Sequence, residues 1–155
     1  MVPPADVGVG TGLDPIHNQA RSSAFFYTVE EGQRVIAVEK SGKLTVIEGP
    51  ARVWRGGRQF RPMKHYVAHP GEFLVVRFRD GRQEHMAGPA DCWFDPREHL
   101  SVEKEEALQI GGEEAVVVYT DGEGDITRRI ARGPATFIPG PGEWLHTFSW
   151  HGTVD

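Results

Sequence analysis

The stretch EEGQRVIAVEKSGKLTVIEGPA, residues 30–51, predicts one β-hairpin and the point at which it ends. Its two apolar runs, RVIAV and LTVI, flank the turn sequence KSGK, and short β-branched runs separated by a glycine-bearing turn are typical of antiparallel strands. The hairpin is followed by Gly49-Pro50. Because proline has no amide hydrogen, it cannot continue a central strand. We therefore expect a strand, a tight turn and a return strand that ends at Gly-Pro.

The same order of features occurs twice more in the chain. HPGEFLVVRF (69–78) leads through the turn RDGR to a second GPA motif, and IGGEEAVVVY (110–119) leads through TDGEGDIT to a third. An aromatic residue and a proline follow each motif. The glycine that precedes each first strand and the glycine of the GPA motif are paired as Gly32 and Gly49, Gly71 and Gly88, and Gly112 and Gly133. Self-similarity at a period of about 40 residues indicates a repeat protein.

The repeated hairpins predict an all-β fold of three tandem antiparallel units stacked in a solenoid-like array. Two or three short strands are only marginally stable alone, so the units must pack on one another. The predicted units are residues 25–65, 66–107 and 108–155, after an extended N-terminal arm at residues 1–24. No segment carries a helical period over ten residues or more. DPREHLSVEKEEAL comes closest, with a turn or two at most.

The segment GEWLHTFSWHG, residues 142–152, places Trp144, His146, Phe148 and Trp150 on one face of a predicted strand. A terminal unit of a stacked array must be capped or leave an apolar face open. We therefore expect this stripe to pack on the preceding unit, with Phe148 and at least one of the two tryptophans buried. An exposed stripe would instead require a continuation of the chain or a neighbouring subunit to cover it.

Composition bounds the class of protein. The chain has 155 residues, of which 39% are hydrophobic and 25% charged, and no apolar run approaches the roughly 18 residues of a membrane span. Residues 1–23 carry no apolar core of a signal peptide. Cys92 is the single cysteine, so no intrachain disulfide can form. These features predict a cytoplasmic protein, and the net charge of −5 makes nucleic acid an unlikely partner.

Charge is distributed unevenly along the sequence. Residues 52–82 hold eight basic and two acidic side chains, whereas residues 98–125 hold nine acidic and one basic. Runs of this kind are usually solvated strand faces. The sharper interpretation is a pair of complementary surfaces through which copies of the chain meet head to tail in lateral contact. The residues expected there are Arg52, Arg55, Arg58, Arg61, Glu105, Glu106, Glu113 and Asp121. The arginine series, interleaved with Trp54 and Phe60, could also meet an anionic surface.

The segment GPATFIPGPGEWLHTF, residues 133–148, together with the two earlier Gly-Pro units, resembles the β repeats of major vault proteins. It is also similar to bacterial vault-like proteins, in which such repeats precede a domain of the stomatin, prohibitin and flotillin type. The resemblance covers residues 25–152. It implies a structural scaffold without an active site, in which the repeats of neighbouring chains pack side by side as the staves of a wall. The expected partner is therefore another copy of this chain.

The specific catalytic motifs that can be read from sequence are absent: there is no GxSxG, HExxH, P-loop or paired CxxC. Seven histidines keep a metal site open as an alternative. Its most specific form is a small cupin-like β-barrel with a ligand or metal site around His146, although the His-x-His of a first cupin motif has no counterpart. A metal needs three or more converging ligands. We expect a non-enzymatic protein with no catalytic residues, no metal and no cofactor.

Overall fold

The computed structural model describes residues 24–149, and of residues 147–149 the backbone alone. This part of the chain is all strand, turn and bend, which confirms the predicted all-β class. It contains fifteen strands. The strands are β1 (Phe26–Val29), β2 (Arg34–Val38), β3 (Leu44–Glu48), β4 (Ala51–Trp54), β5 (Gln59–Pro62), β6 (His65–Ala68), β7 (Glu72–Phe78), β8 (Gln83–Ala87), β9 (Ala90–Trp93), β10 (His99–Glu106), β11 (Leu108–Ile110), β12 (Glu114–Asp121), β13 (Ile126–Arg132), β14 (Ala135–Phe137) and β15 (Glu143–Ser149).

The strands pair antiparallel in six small sheets, and the pairing pattern recurs every five strands. In each group of five, the first strand pairs with the fourth, and the second strand lies between the third and the fifth. We call the groups β1–β5, β6–β10 and β11–β15 set 1, set 2 and set 3. None of the six sheets closes into a barrel. The cupin-like alternative therefore lacks its barrel in the described part of the chain.

Each predicted hairpin is present at the centre of a set. β2 and β3 are joined through KSGK, β7 and β8 through RDGR, and β12 and β13 through TDGEGD. Equivalent residues follow from the registers, in which Ile36 lies opposite Val46, Val75 opposite His85, and Val117 opposite Ile130. The central strand of each hairpin is the most buried, because it has a neighbour on both edges and side chains packed on both faces.

The three Gly-Pro steps occupy the same place, between the third and fourth strands of each set, and each peptide bond is cis. The amide of Gly49 donates to Gln33 O at 2.9 Å, and those of Gly88 and Gly133 donate to the equivalent carbonyls. A Cβ on Gly88 would lie 2.1 Å from His69 O. On Gly49 and Gly133 it would lie 1.8 Å from the equivalent oxygens. Glycine is required there because two backbone segments approach too closely for any side chain.

The hydrogen bonds of the turn before each central strand correct, by one residue, the alignment of the third set with the first two. The amides of Gln33, Glu72 and Glu114 donate to the carbonyl three residues earlier, so these residues are equivalent. The residue before each is then Gly32, Gly71 and Glu113, and not Gly112 as the motif spacing suggested. Gly32 and Gly71 have positive φ, whereas within residues 24–149 no residue other than glycine does. The third turn therefore has a different conformation, with Gly112 one position earlier.

The core is divided between the interiors of the sets and their junctions. Leu74, Val76 and Val102 form a buried cluster inside set 2, and Ile110, Val116 and Val118 form one inside set 3. The alternate residues of β7 point the other way. Phe73 and Val75 cluster with Ala107 and contact Ile138 of set 3. β7 is therefore buried on both faces, one toward its own set and one toward the next.

The terminal aromatic stripe does not cover the preceding set as expected. Glu143–Ser149 form β15, which pairs with β12 inside set 3. Trp144 stacks on Tyr119 at a ring-centroid distance of 5.7 Å and remains 44% exposed. The side chains of Phe148 and Trp150 lie outside the described residues, as do residues 1–23 of the predicted arm.

Candidate assembly surfaces

The junction between set 1 and set 2 is partly polar. On the face of β2 that is turned away from the core of set 1, the Arg34 guanidinium lies 5.3 Å from the ring centroid of Trp93. The same guanidinium forms an ion pair of 3.0 Å with Glu48. A cavity of about 460 Å³ opens beside this contact and is lined by Arg34, Trp93, Asp95 and Arg97 among others. Asp95 and Arg97 pair with each other at 2.6 Å, so the charges in this cavity are largely compensated.

The junction between set 2 and set 3 uses the equivalent positions with apolar side chains. Phe73 is the counterpart of Arg34, and Ile138 is the counterpart of Trp93. Nδ1 of His85 donates to the carbonyl of Pro139 at 2.5 Å and closes the same junction from β8. At both junctions, therefore, the residue five positions after the glycine of a GPA motif contacts the face presented by the preceding set.

The equivalent residue of set 1 contacts no earlier set in the described chain. Five positions after Gly49 stands Trp54, whose side chain is 54% exposed. Its ring stacks on Phe25 at 5.8 Å and meets the edge of Phe26 at 5.5 Å. Phe25 is itself 63% exposed. An apolar aromatic pair thus lies at one end of the described array of strands.

At the other end, the face of set 3 equivalent to the two covered faces is only partly covered by the side chains that the structure describes, among which Trp144 of β15 stacks on Tyr119. A cavity of about 550 Å³ lies on this face, lined by Val117, Tyr119, Arg128, Arg129 and Ile130. Ile130 is 63% exposed, whereas its counterparts Val46 and His85 are half-buried at the junctions. Exposed apolar residues that are contiguous mark interaction sites more often than residues that are scattered singly.

Three of the four arginines expected in self-association contact aromatic rings of set 1, but not on one face, because the adjacent residues Phe26 and Tyr27 point to opposite faces of β1. The guanidinium of Arg52 lies 4.6 Å from the ring centroid of Phe26, that of Arg55 lies 5.5 Å from Tyr27, and that of Arg58 lies 5.7 Å from Phe60. Tyr27 and Phe60 stack on each other at 4.4 Å. Arg55 and Arg58 are half-buried and also donate hydrogen bonds to backbone carbonyls, Arg55 to Phe26 O and Arg58 to Arg55 O, both at 3.4 Å, whereas Arg52 is exposed. Arg61 lies apart, near Phe94 and Pro96 of set 2.

The four expected acidic residues are exposed but do not form one patch. Glu105 and Glu106 end β10, and Glu113 lies in the turn before β12. Asp121 ends β12, seven residues after Glu114, its first residue, which corresponds to roughly 23 Å along a strand. The structure therefore brings the first three to one end of the central strands and places Asp121 near the other.

Most other charges on these strands are paired within their own set. Arg77 pairs with Glu103 at 3.3 Å, Lys104 with Glu72 at 3.1 Å, and Arg129 with Glu143 at 3.0 Å. Such exposed pairs add little stability. They nevertheless reduce the charge that sets 2 and 3 present.

Two carboxylates cap turns at equivalent geometry. Glu143 accepts a hydrogen bond from the amide of Gly140 at 2.8 Å, as Glu72 does from the amide of His69. The Gly140 amide, and after it the Arg129 guanidinium, hold the pKa of Glu143 below its usual value. The pKa of Glu72 is lowered by the His69 amide and then by Lys104. Because these shifts accompany turn hydrogen bonds, they indicate structural capping and not acid–base chemistry.

One histidine–carboxylate pair has the geometry that catalytic dyads use. Nε2 of His65 lies 2.8 Å from Oδ2 of Asp91, and the imidazole stacks on Trp93 at 4.2 Å. Cys92 is the adjacent nucleophile in sequence, but its side chain points to the opposite face of β9, into the core of set 2. Burial raises the pKa of the Cys92 thiol, with Asp91 and Glu84 adding to the shift. A protonated thiol on the far face cannot act with this pair.

The histidine and carboxylate side chains also bear on the metal-site alternative. Within residues 24–149, no three His, Cys, Asp or Glu side chains converge as a metal site requires. His146 lies on β15 opposite Val117 and is exposed. No helix in this range is long and apolar enough to cross a membrane.

Comparison of the sequence and the structure with protein-family models, curated proteins and solved structures found no match. The vault-like resemblance therefore rests on the motifs alone.

Sequence reasoning missed the junction residues Trp93, His85 and Ile138. The signal that could have identified them is their common offset, because Trp54, Trp93 and Ile138 each follow a Gly-Pro glycine by five residues.

Proposed function

We propose that this chain is a non-enzymatic structural module, in which three sets stack as a short solenoid-like array and copies of the chain pack side by side, as the repeats of vault-like proteins do. The observation that carries the proposal is the threefold recurrence of one five-strand pairing with the same Gly-Pro contact. A repeated unit whose neighbours cover it is the ordinary basis of extended scaffolds.

Two properties of the surface support a role in assembly. Arg52, Arg55 and Arg58 all lie in set 1, and Glu105, Glu106 and Glu113 lie at corresponding ends of the central strands of sets 2 and 3. Different patches on one subunit give a head-to-tail contact, which propagates into rings or filaments. Opposite charges would set register and association rate more than affinity. A cytoplasmic location fits this proposal.

The proposed side-by-side contact is tested by its dependence on salt. The screening length is about 10 Å at 0.1 M salt and about 3 Å at 1 M. We expect the oligomers formed at low salt to lose mass as salt approaches 1 M, because the side-by-side contact is screened, as measured by sedimentation velocity on the full chain. Oligomers equally populated at both salt concentrations, or a chain that stays monomeric at low salt, would contradict a charge-driven contact.

Charge reversal locates the contact. The double substitution Arg52→Glu with Arg55→Glu should abolish the salt-sensitive oligomer, and Glu106→Lys with Glu113→Lys should do the same. An equimolar mixture of the two should restore it, because the native acidic residues of the first variant meet the native arginines of the second, and the two reversed patches are again opposite in charge. Arg132→Glu, at an exposed arginine of set 3 outside the expected contact residues, is the matched control. It should leave the oligomer unchanged.

A further inference from the structure

We propose that a second copy of this chain binds end to end, with its Trp54–Phe25 pair seated on the partly open face of set 3 formed by Val117, Tyr119 and Ile130. This contact is separate from the side-by-side contact. It deepens the proposed scaffold role by naming a second route of self-association.

The two internal junctions of the chain show which kind of residue covers such a face of a set. The face of set 1 that contains Arg34 and Ile36 is met by Trp93 of set 2, and the face of set 2 that contains Phe73 and Val75 is met by Ile138 of set 3. In both cases the covering residue follows a Gly-Pro glycine by five positions. The occupant of this kind of face is therefore the aromatic or aliphatic residue at that offset in another set.

Both halves of one further junction remain open in the described chain. Val117 and Ile130 occupy the positions of Val75 and His85, and Ile130 is 63% exposed. Trp54 occupies the position of Trp93 and Ile138, and it is 54% exposed. Set 3 of one copy and set 1 of the next can thus repeat the junction that the chain makes internally.

The chemistry of the two surfaces also fits. At the position equivalent to Phe73, set 3 carries Ala115, which is buried and lies opposite Phe148 in the register of β12 with β15, so the surface offered to an indole is that of Val117 and Ile130. The second copy would bring Trp54 to this surface, and tryptophan is among the residues most enriched in strong contacts at protein interfaces. Because the two surfaces differ, the contact is heterologous and adds copies in one direction.

An apolar contact responds to salt differently from the charge contact proposed above. Salt screens charges but does not weaken burial of apolar surface. The end-to-end association should persist at about 1 M salt. This separates the two contacts. Complete dissociation at high salt would overturn the end-to-end contact alone, and oligomers of the same mass at about 0.1 M and about 1 M salt would leave the side-by-side contact without support.

The experiment uses two variants of the full chain that each block one half of the junction. Ile130→Arg places a charge on the partly open face of set 3, and Trp54→Ala removes the covering residue of set 1. We expect each variant to weaken the association of the wild-type chain at 1 M salt at least about tenfold, as measured by sedimentation velocity over a concentration series. Leu100→Arg is the control, because Leu100 is equally exposed at 63% but lies on β10 of set 2.

A mixture of the two variants gives the decisive readout. Each variant keeps the half that the other lacks, so an equimolar mixture should form a dimer of two 17.2 kDa chains and no larger species. The proposal is overturned if the wild-type chain is monomeric at 1 M salt, if Leu100→Arg disrupts association as much as Ile130→Arg, or if the mixture forms no dimer. Circular dichroism establishes that both variants fold; should Trp54→Ala not fold, Phe25→Ala takes its place.

Discussion

At the scale of single residues, glycine 133 shows how one backbone contact constrains the sequence. A Cβ at this position would lie 1.8 Å from Gly111 O, far inside the closest approach of real atoms. We expect Gly133→Ala to lower the free energy of unfolding by at least about 2 kcal/mol, because the strands on either side must separate. Urea denaturation of the purified chain measures this difference.

Gly112 provides the control in the same set. Nothing lies within 4 Å of a Cβ built on it, and its φ is not in the left-handed region. Gly112→Ala should therefore change stability by less than about 0.5 kcal/mol. Equal losses in the two variants would show that the Gly-Pro contact does not constrain the chain.

The Gly-Pro motif was recognised from the sequence, but its physical role was not. The spacing places Gly49, Gly88 and Gly133 at the ends of return strands, and this placement is confirmed. The reason for glycine is a carbonyl oxygen about twenty residues away in the chain, at Glu30, His69 and Gly111. Local sequence carries no information on such an approach, because it depends on how two turns meet in space.

At the scale of secondary-structure elements, β7 connects the interior of set 2 to set 3. Its side chains alternate, so that Leu74 and Val76 face the core of set 2 while Phe73 and Val75 face the junction. We expect Phe73→Ala to lower the free energy of unfolding by about 3 to 5 kcal/mol, the usual cost of truncating a buried aromatic residue. Thermal and urea unfolding measure the effect.

Val67→Ala is the control for this prediction. Val67 lies on β6 of the same set but is 41% exposed, so its truncation should cost less than about 1 kcal/mol. If Phe73→Ala were no more destabilising than Val67→Ala, the junction between sets 2 and 3 would contribute little to stability.

The elements also show where periodicity was informative. The strands β2, β7 and β12 carry β-branched runs, each is followed by a glycine-bearing turn, and all three hairpins were predicted. The two-stranded sheets that the first and fourth strands of each set form were not predicted in detail. They are three or four residues long, too short for alternation to stand out from the surrounding loops.

At the scale of the whole molecule, the two internal junctions differ in chemistry. The junction of sets 1 and 2 contains Arg34, a compensated ion pair and a cavity of about 460 Å³, whereas that of sets 2 and 3 contains Phe73, Val75 and Ile138. Apolar burial contributes more to stability than a polar contact beside a cavity. Set 1 should therefore open at lower free energy than sets 2 and 3.

Hydrogen exchange followed by mass spectrometry tests this difference. We expect the amides of β2 to exchange faster than those of β7 and β12, although all three strands are central in their sheets. Filling the first junction with Arg34→Leu should slow exchange in β2 and leave β12 unchanged. Equally slow exchange in β2 and β7 of the unmodified chain would mean that the two junctions are equally stable.

The sequence by itself determined the all-β class, the three hairpins and the positions of the Gly-Pro steps. These features depend on local properties: β-branched side chains favour extended backbone, glycine permits tight turns, and proline ends a ladder. The run of basic residues in set 1, which includes Arg52 and Arg58, was also identified from the sequence, because it depends only on the order of the residues.

The tertiary structure alone decided which residues meet across the junctions and which faces stay open. Trp93 and Trp54 have the same place in the motif, yet one contacts Arg34 of another set and the other is 54% exposed. Of the terminal aromatic stripe, in which Phe148 and at least one tryptophan were expected to be buried, Trp144 is 44% exposed, and the side chains of Phe148 and Trp150 lie outside the described residues. The physical reason is that burial of a strand face depends on a partner far away in sequence, whereas the conformation of the strand depends mainly on its own residues.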